Sequence, residues 1–295
     1  MTSRRRLLVG LGLGGLGAVA WLGGRTALGV RKLAPIGAAS PLPSSGFDWT
    51  PWSALLAEIV EDGFVHYERL MARPEALEAL CARLAVTGPR TDPDRFPTAA
   101  DALAYHLNAY NALVLLGVLR HLPIQSVGDV RGPWEPKAHM GFFWGLRFLL
   151  DGRWRHLYGL EHDTLLRDPV DARIHAAINC ASWSCPPLRA TAFEPARLDA
   201  QLEEATRDWV RGHAVVSHDA SRVVLHPLMD FYPHDFADHA RRAGWGDRPV
   251  DFLRHWLDAE QSAELDTAVS AGSPVSSPPY DWRLNEATVR NAGRT

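Results

Sequence analysis

The chain has 295 residues, 46% of them hydrophobic, with a net charge of −3. This composition excludes a disordered or collagen-like chain and supplies a large core, and 31 basic against 34 acidic residues exclude a globally basic nucleic-acid binder. The only lysines are Lys32 and Lys137, and neither sits in Gly-Lys-Ser/Thr, which excludes a Walker-type phosphate loop.

Residues 1–39 hold Arg4, Arg5, Arg6, Arg25, Arg31 and Lys32 and no acid, leaving 25 bases against 34 acids elsewhere. Segment 7–24 is uncharged, and Ser3-Arg4-Arg5-Arg6-Leu7-Leu8 resembles a twin-arginine export signal. An ordinary secretory signal or a start-anchor helix has the same outline. We therefore expect a signal or anchor over 1–29, a linker over 30–46, one domain over 47–285 and a tail over 286–295. The domain is then expected in the periplasm, or anchored to the inner membrane and facing it, with membrane contact through the N-terminal segment if that segment is uncleaved.

Helices are expected within 47–70, over 75–86, where Leu77, Leu80, Cys81 and Leu84 share a face, and over 98–119. The last of these is apolar on nearly every side, which marks a central buried helix. Asn108 and Asn111 interrupt it and need specific partners, because an unpaired buried amide costs roughly 1–3 kcal/mol. Asp151-Gly152 signals a hairpin within 142–158. A short helix carrying Glu161 and His162 follows, then a buried strand over 173–180, a helix over 195–210, a hairpin over 215–225, and helices over 231–243 and 250–257. The fold class expected is α+β: a single mixed domain whose central buried helix packs on a small antiparallel sheet.

The densest polar cluster runs from Arg173 through His175, Asn179, Cys180, Ser182 and Cys185 to Pro187. A strand running into a turn that exposes a thiol suits a nucleophile, given an imidazole to raise the thiolate fraction. In a straight strand His175 and Cys180 face opposite sides, so pairing them requires the strand to end near Asn179. A local disulfide between Cys180 and Cys185 and a pair of packed, inert thiols are the alternatives. His226, His234 and His239 with Asp230, Asp235 and Asp238 match no standard zinc spacing and read as a solvated helix face. No metal and no cofactor is expected.

Several segments together resemble the bacterial and plant family called domain of unknown function 547. They are Leu107-Asn108-Ala109-Tyr110-Asn111-Ala112-Leu113, Leu160-Glu161-His162, Arg173-Ile174-His175, Asn179-Cys180-Ala181-Ser182, Ser184-Cys185-Pro186-Pro187-Leu188, Asp235-Phe236 and Tyr280-Asp281-Trp282-Arg283-Leu284-Asn285. Tyr105-His106 departs from the Phe-Trp pair usual in the family. A remote papain- and transglutaminase-like thiol fold is one implication of the resemblance. Such enzymes place Cys before His in the chain, whereas His162 and His175 both precede Cys180.

Two function classes lead, ahead of a third, a metal-dependent enzyme using the His-rich carboxyl half. The first is a cysteine/histidine-dependent hydrolase or acyl transferase acting on a peptide-like envelope substrate. Its candidate catalytic residues are Cys180, Cys185, His175, Glu161 and His162, and its candidate binding residues are Asn108, Asn111 and Asn179. The second is a non-catalytic envelope binding or scaffold module that uses the same polar groove. Partners are expected to be a small molecule, a peptide or an envelope protein, and not nucleic acid. Since each of these polar groups needs an interior partner, Asn108, Asn111, Glu161, His175 and the turn 180–185 are expected to converge on one site.

Overall fold

Thr98 and Asp101 start the longest helix, Ala99–Leu119, with a reciprocal capping box in which each residue's backbone N–H donates to the other's side chain. Every residue from Leu107 to Val118 is buried. By length and composition this helix could cross a membrane, but 78% of its apolar window is buried inside the fold. It is a core helix.

The computed structural model describes residues 30–36, 46–131, 139–167, 169–214 and 222–288. The expected signal segment, most of the linker and the turn of the 215–225 hairpin lie outside these residues.

Around the central helix, Thr50–Ile59 and Glu75–Val86 pack their apolar faces inward, and Tyr105 Oη donates to the Leu84 carbonyl at 3.0 Å. The other side meets strand Leu146–Leu150, whose alternating burial points Leu146, Phe148 and Leu150 at the core. Gly117 permits this approach: a Cβ there would lie 2.8 Å from Phe142 Cζ and 3.4 Å from Phe148 Cζ.

Strand Leu146–Leu150 turns through Asp151 and Gly152, with φ of 48° and 70°, into antiparallel strand Arg153–Arg155. Positive φ at both positions is the turn that Asp-Gly favours. Arg31–Leu33 adds a parallel third strand from within the stretch read as linker, so the sheet is mixed rather than purely antiparallel.

Two other expectations need correction. The single helix expected within 47–70 divides into Thr50–Ile59, a small hairpin of Val60–Glu61 with Phe64–Val65, and Tyr67–Ala72. The apolar run 173–180 is not a strand: Ile174–Ala177 forms one helical turn, and the chain becomes extended at Ile178. Val223–Val224, the described end of the expected 215–225 hairpin, pairs in parallel with Val275–Ser276.

Helices Leu198–Trp209, Pro233–Ala243, Pro249–Trp256 and Ala259–Ser270 gather a second apolar cluster around Trp209, Phe236, Phe252 and Trp256. Tyr232 packs against both this cluster and the main core, and the cavity described next opens beside it.

Candidate functional site

A cavity of about 310 Å³ is walled by the central helix, the 157–165 segment, the 178–186 turn and residues around Tyr232 and Tyr280. Helix Leu157–Leu160 continues into a wider turn, Glu161–Leu165, closed by Leu166 N–H donating to the Glu161 carbonyl at 2.7 Å. Such an i to i+5 turn often marks a functional site. It sets the Glu161 carboxylate between two phenols. Tyr110 donates to Oε2 at 2.8 Å and Tyr232 to Oε1 at 2.9 Å. Burial, reinforced by the Glu161 charge, pushes both phenols up, so they remain proton donors to it. His162 stacks on Tyr158 with ring centroids 4.0 Å apart, its Nε2 lying 3.8 Å from Glu161 Oε1.

His175 stands on the helical turn Ile174–Ala177. Its Nε2 meets Asp235 Oδ2 at 2.9 Å, and its ring packs between Tyr232 and Phe236 at 4.3 and 5.0 Å. A carboxylate on one ring nitrogen fixes the ring's orientation. The turn also removes the strand-parity obstacle, since His175 and Cys180 both line the cavity.

The segment after His175 is held from the central helix. Asn111 Nδ2 donates to the Ala177 carbonyl at 3.0 Å, and its Oδ1 accepts from Asn179 N–H at 2.9 Å. Asn179 then ties the turn together. Its Nδ2 donates to the Pro186 carbonyl, while its Oδ1 accepts from Ala181 N–H at 2.8 Å and from Asn285 Nδ2 at 3.1 Å. Directly after the thiol, buried Ala181 takes the left-handed conformation with φ of 60°, a strained geometry for a residue with a Cβ.

Cys180 Sγ lies 3.0 Å from Ser182 Oγ and 3.2 Å from Tyr280 Oη, and Ser182 Oγ donates to Tyr280 Oη at 2.8 Å. The three groups close a ring in which each can give one hydrogen bond and take one. Burial alone would push the Cys180 thiol up. Hydrogen bonding with Cys185, Ser182 and Tyr280 outweighs burial and holds it below the ordinary thiol value. Cys185 goes the opposite way, pushed up by burial and by the neighbouring Cys180 sulfur, and it accepts the Cys180 N–H at 2.9 Å. Both are free thiols.

All five candidate catalytic residues (Glu161, His162, His175, Cys180 and Cys185) therefore border one cavity. The three amides do not line it. Asn111 and Asn179 brace the turn from behind, and Asn108 is directed elsewhere. Its Nδ2 donates to the Phe193 carbonyl and its Oδ1 accepts from Phe193 N–H, at 2.8 and 2.9 Å. One turn of helix separates the two asparagines, enough to hand each a different loop. The expected pairing of His175 with Cys180 is also replaced: His175 Nε2 faces Asp235, and the thiol is served by hydroxyls.

The His/Asp stretch of the carboxyl half is dispersed. His226 Nε2 lies 2.7 Å from the Ser184 carbonyl, Asp235 serves His175, and His239 Nδ1 accepts from Ala172 N–H at 3.2 Å. Among the described residues, no group of three or more His, Cys, Asp or Glu side chains is placed to hold a metal ion. Residue-by-residue reading missed Tyr110, Tyr232, Ser182, Asp235 and Tyr280 as site residues. Four of them (all but Tyr232) lie inside the motif segments, which was the available signal.

Residues 95–210 match the family described as protein of unknown function, DUF547. This segment belongs to that family. The DUF547 segment supplies Tyr110, Glu161, His175, Cys180 and Cys185, whereas Tyr232, Asp235 and Tyr280 come from beyond it. The cavity is thus completed by residues outside the DUF547 match. No curated protein and no solved structure matches the chain.

Proposed function

We propose that this protein is a cysteine-dependent hydrolase or acyl transferase with Cys180 as nucleophile, acting outside the cytoplasm on a peptide-like envelope substrate. The observation that carries the reading is the Cys180 thiol on the wall of an aromatic-lined cavity, with Ser182 and Tyr280 hydroxyls as its partners. The Tyr280 hydroxyl donating to sulfur favours the thiolate, which is the attacking species. In this reaction the sulfur bonds to an acyl carbon and the bond to the leaving group breaks. His175, oriented by Asp235, takes the thiol proton and delivers it to that leaving group, and water or a second nucleophile then releases the acyl group from sulfur, its proton returning to the thiol. The left-handed Ala181 supports the assignment, because backbone strain concentrates where a turn must present a reactive group.

The test is the rate of iodoacetamide labelling of Cys180 against pH, with Cys180→Ala as the blank. An inflection below about 8.5, the ordinary thiol value, together with loss of p-nitrophenyl ester hydrolysis in Cys180→Ala, is the expected result. An inert Cys180 overturns it. That outcome would favour a binding module, a reading supported by the stacked Trp144 and Tyr158 rings, 4.1 Å apart on the same wall. The extracytoplasmic part rests on the arginine-rich start alone, and impaired export of a chain with Arg4 and Arg5 changed to Lys is its check.

A further inference from the structure

A second cavity, of about 280 Å³, is lined by Arg90, Arg153, Arg155, His106 and Asp151 together with Pro89 and Leu150. It shares no lining residue with the thiol cavity. Strand geometry builds its positive wall. Arg153 and Arg155 are two apart on strand Arg153–Arg155 and so project to one face, while Trp154 on the other face meets Lys32, whose Nζ is 5.0 Å from the ring centroid. Arg90 arrives from the loop after helix Glu75–Val86, its Nε donating to the Asp151 carbonyl at 3.0 Å.

The charges on this wall are only partly compensated, three guanidiniums standing against one carboxylate. Elsewhere in the fold arginines are commonly matched, as Arg173 is with Asp171, Arg120 with Glu78 and Arg254 with Asp266. Arg155 gives its Nη2 to the Gly159 carbonyl and the Thr164 hydroxyl, at 3.1 and 2.9 Å. Among the described residues, Arg90, Arg153 and Arg155 have no carboxylate at ion-pair distance, and the Arg153 guanidinium makes no hydrogen bond. The lone acid of the cavity is already committed: the Asp151 carboxylate accepts from Arg90 N–H, Thr91 N–H and the Thr91 hydroxyl, at 2.8, 2.8 and 2.6 Å. His106 adds a polar ring to the floor. Burial, together with the Arg155 charge, holds it down at about 4, so it stays neutral, with one ring nitrogen bonded to the Ala102 backbone.

We propose that this cavity is a binding site for a tetrahedral oxyanion, the phosphate group of a free ion or a small phosphate ester. Planar guanidinium forks match such oxygens in pairs, and a concave low-dielectric wall strengthens each contact. The anion supplies the countercharge that the fold leaves out.

The test titrates inorganic phosphate, glycerol phosphate, inorganic sulfate and acetate into the full chain at fixed ionic strength. Heat is followed by calorimetry and the His106 ring nitrogens by NMR. Phosphate is expected to bind saturably at millimolar or lower concentration and to shift the His106 signals. Arg153→Glu, whose side chain has no partner to lose, is expected to weaken binding by at least about tenfold, with Arg153→Lys intermediate. Equal binding of glycerol phosphate identifies an ester as an acceptable source, and binding of the inorganic ions alone identifies the free ion. Acetate binding as tightly as phosphate overturns the proposal. So does wild-type affinity in Arg153→Glu, phosphate binding that leaves His106 unmoved, or no saturable binding. The labelling rate of Cys180 should be unchanged in Arg153→Glu, which separates this site from the thiol reading.

Discussion

Asn111 and Asn108 make the same pair of hydrogen bonds to different loops, so each serves as the control for the other. Asn111→Ala deletes one bond to the Ala177 carbonyl and one from Asn179 N–H, in a place where Asn111 is 5% exposed and Asn179 is 3% exposed. Water does not replace them without a cavity, and each buried group left unpaired costs about 1–3 kcal/mol. The sum is roughly 2–6 kcal/mol, a large share of the roughly 5–15 kcal/mol that holds a domain folded. With a urea m-value of about 3 kcal/mol per M, the unfolding midpoint should fall by roughly 1 M. Asn108→Ala removes an equivalent pair at Phe193 and should fall by a similar amount. The two part company at the thiol. Asn111 positions Asn179, which holds Ala181 and the turn around Cys180, so Asn111→Ala should alter the Cys180 labelling rate under conditions where the chain is folded. Asn108→Ala should leave it unchanged. Equal effects of both variants on labelling would refute the assignment of Asn111 as the brace of this turn, and a midpoint shift below about a third of a molar in either would refute the hydrogen-bond magnitude.

Tyr280→Phe removes one hydroxyl donor from the Cys180 sulfur, so the inflection of its labelling profile should move to higher pH, with a severalfold slower rate at pH 7. Gly117→Ala gains about 1 kcal/mol of helix propensity but forces a Cβ against Phe142 and Phe148. Thermal melting should show a net loss of about 1–2 kcal/mol. His106 titrates at about 4 in the fold and at 6.5 ordinarily. Between these values the unfolded chain takes up a proton that the native state refuses, so stability is intact above 6.5 and lost as pH falls toward 4. At about 1.4 kcal/mol per pH unit the loss reaches about 3 kcal/mol, and His106→Phe should flatten that part of a stability-versus-pH curve. Cys81 is a buried thiol within helix Glu75–Val86, and Cys81→Ala should cost on the order of 1 kcal/mol in urea melts while sparing Cys180 labelling.

Local chemistry made much of the fold legible. Helix Glu75–Val86 announced itself through Leu77, Leu80, Cys81 and Leu84, and the hairpin through Asp151-Gly152, because each signal is complete within a few neighbouring residues. Helix Ala259–Ser270 escaped notice because only Leu265 and Ala268 are buried on it, too little for a visible period. The apolar run around Ile174 was ambiguous for a different reason: four residues cannot distinguish a buried strand from a buried helical turn. The candidate site divides the same way. Its five catalytic candidates could be gathered from residue chemistry and motif order. Their partners could not. Asp235 reaches His175 across 60 residues and Tyr280 reaches Cys180 across 100, and such pairings exist only after the chain has closed.

Residues 280–286 cross the site as a strap. They bridge to Ser182 through Leu284, to Ser126 through Arg283 and to Val65 through Glu286, and Asn285 takes a hydrogen bond from Tyr67. The same strap carries the Tyr280 hydroxyl to the Cys180 sulfur. During synthesis the whole DUF547 segment therefore emerges before the group that tunes its thiol. Until those residues arrive, Cys180 lacks one of its two hydroxyl partners. Chain order thus separates the making of the sulfur from the arrival of the hydroxyl beside it.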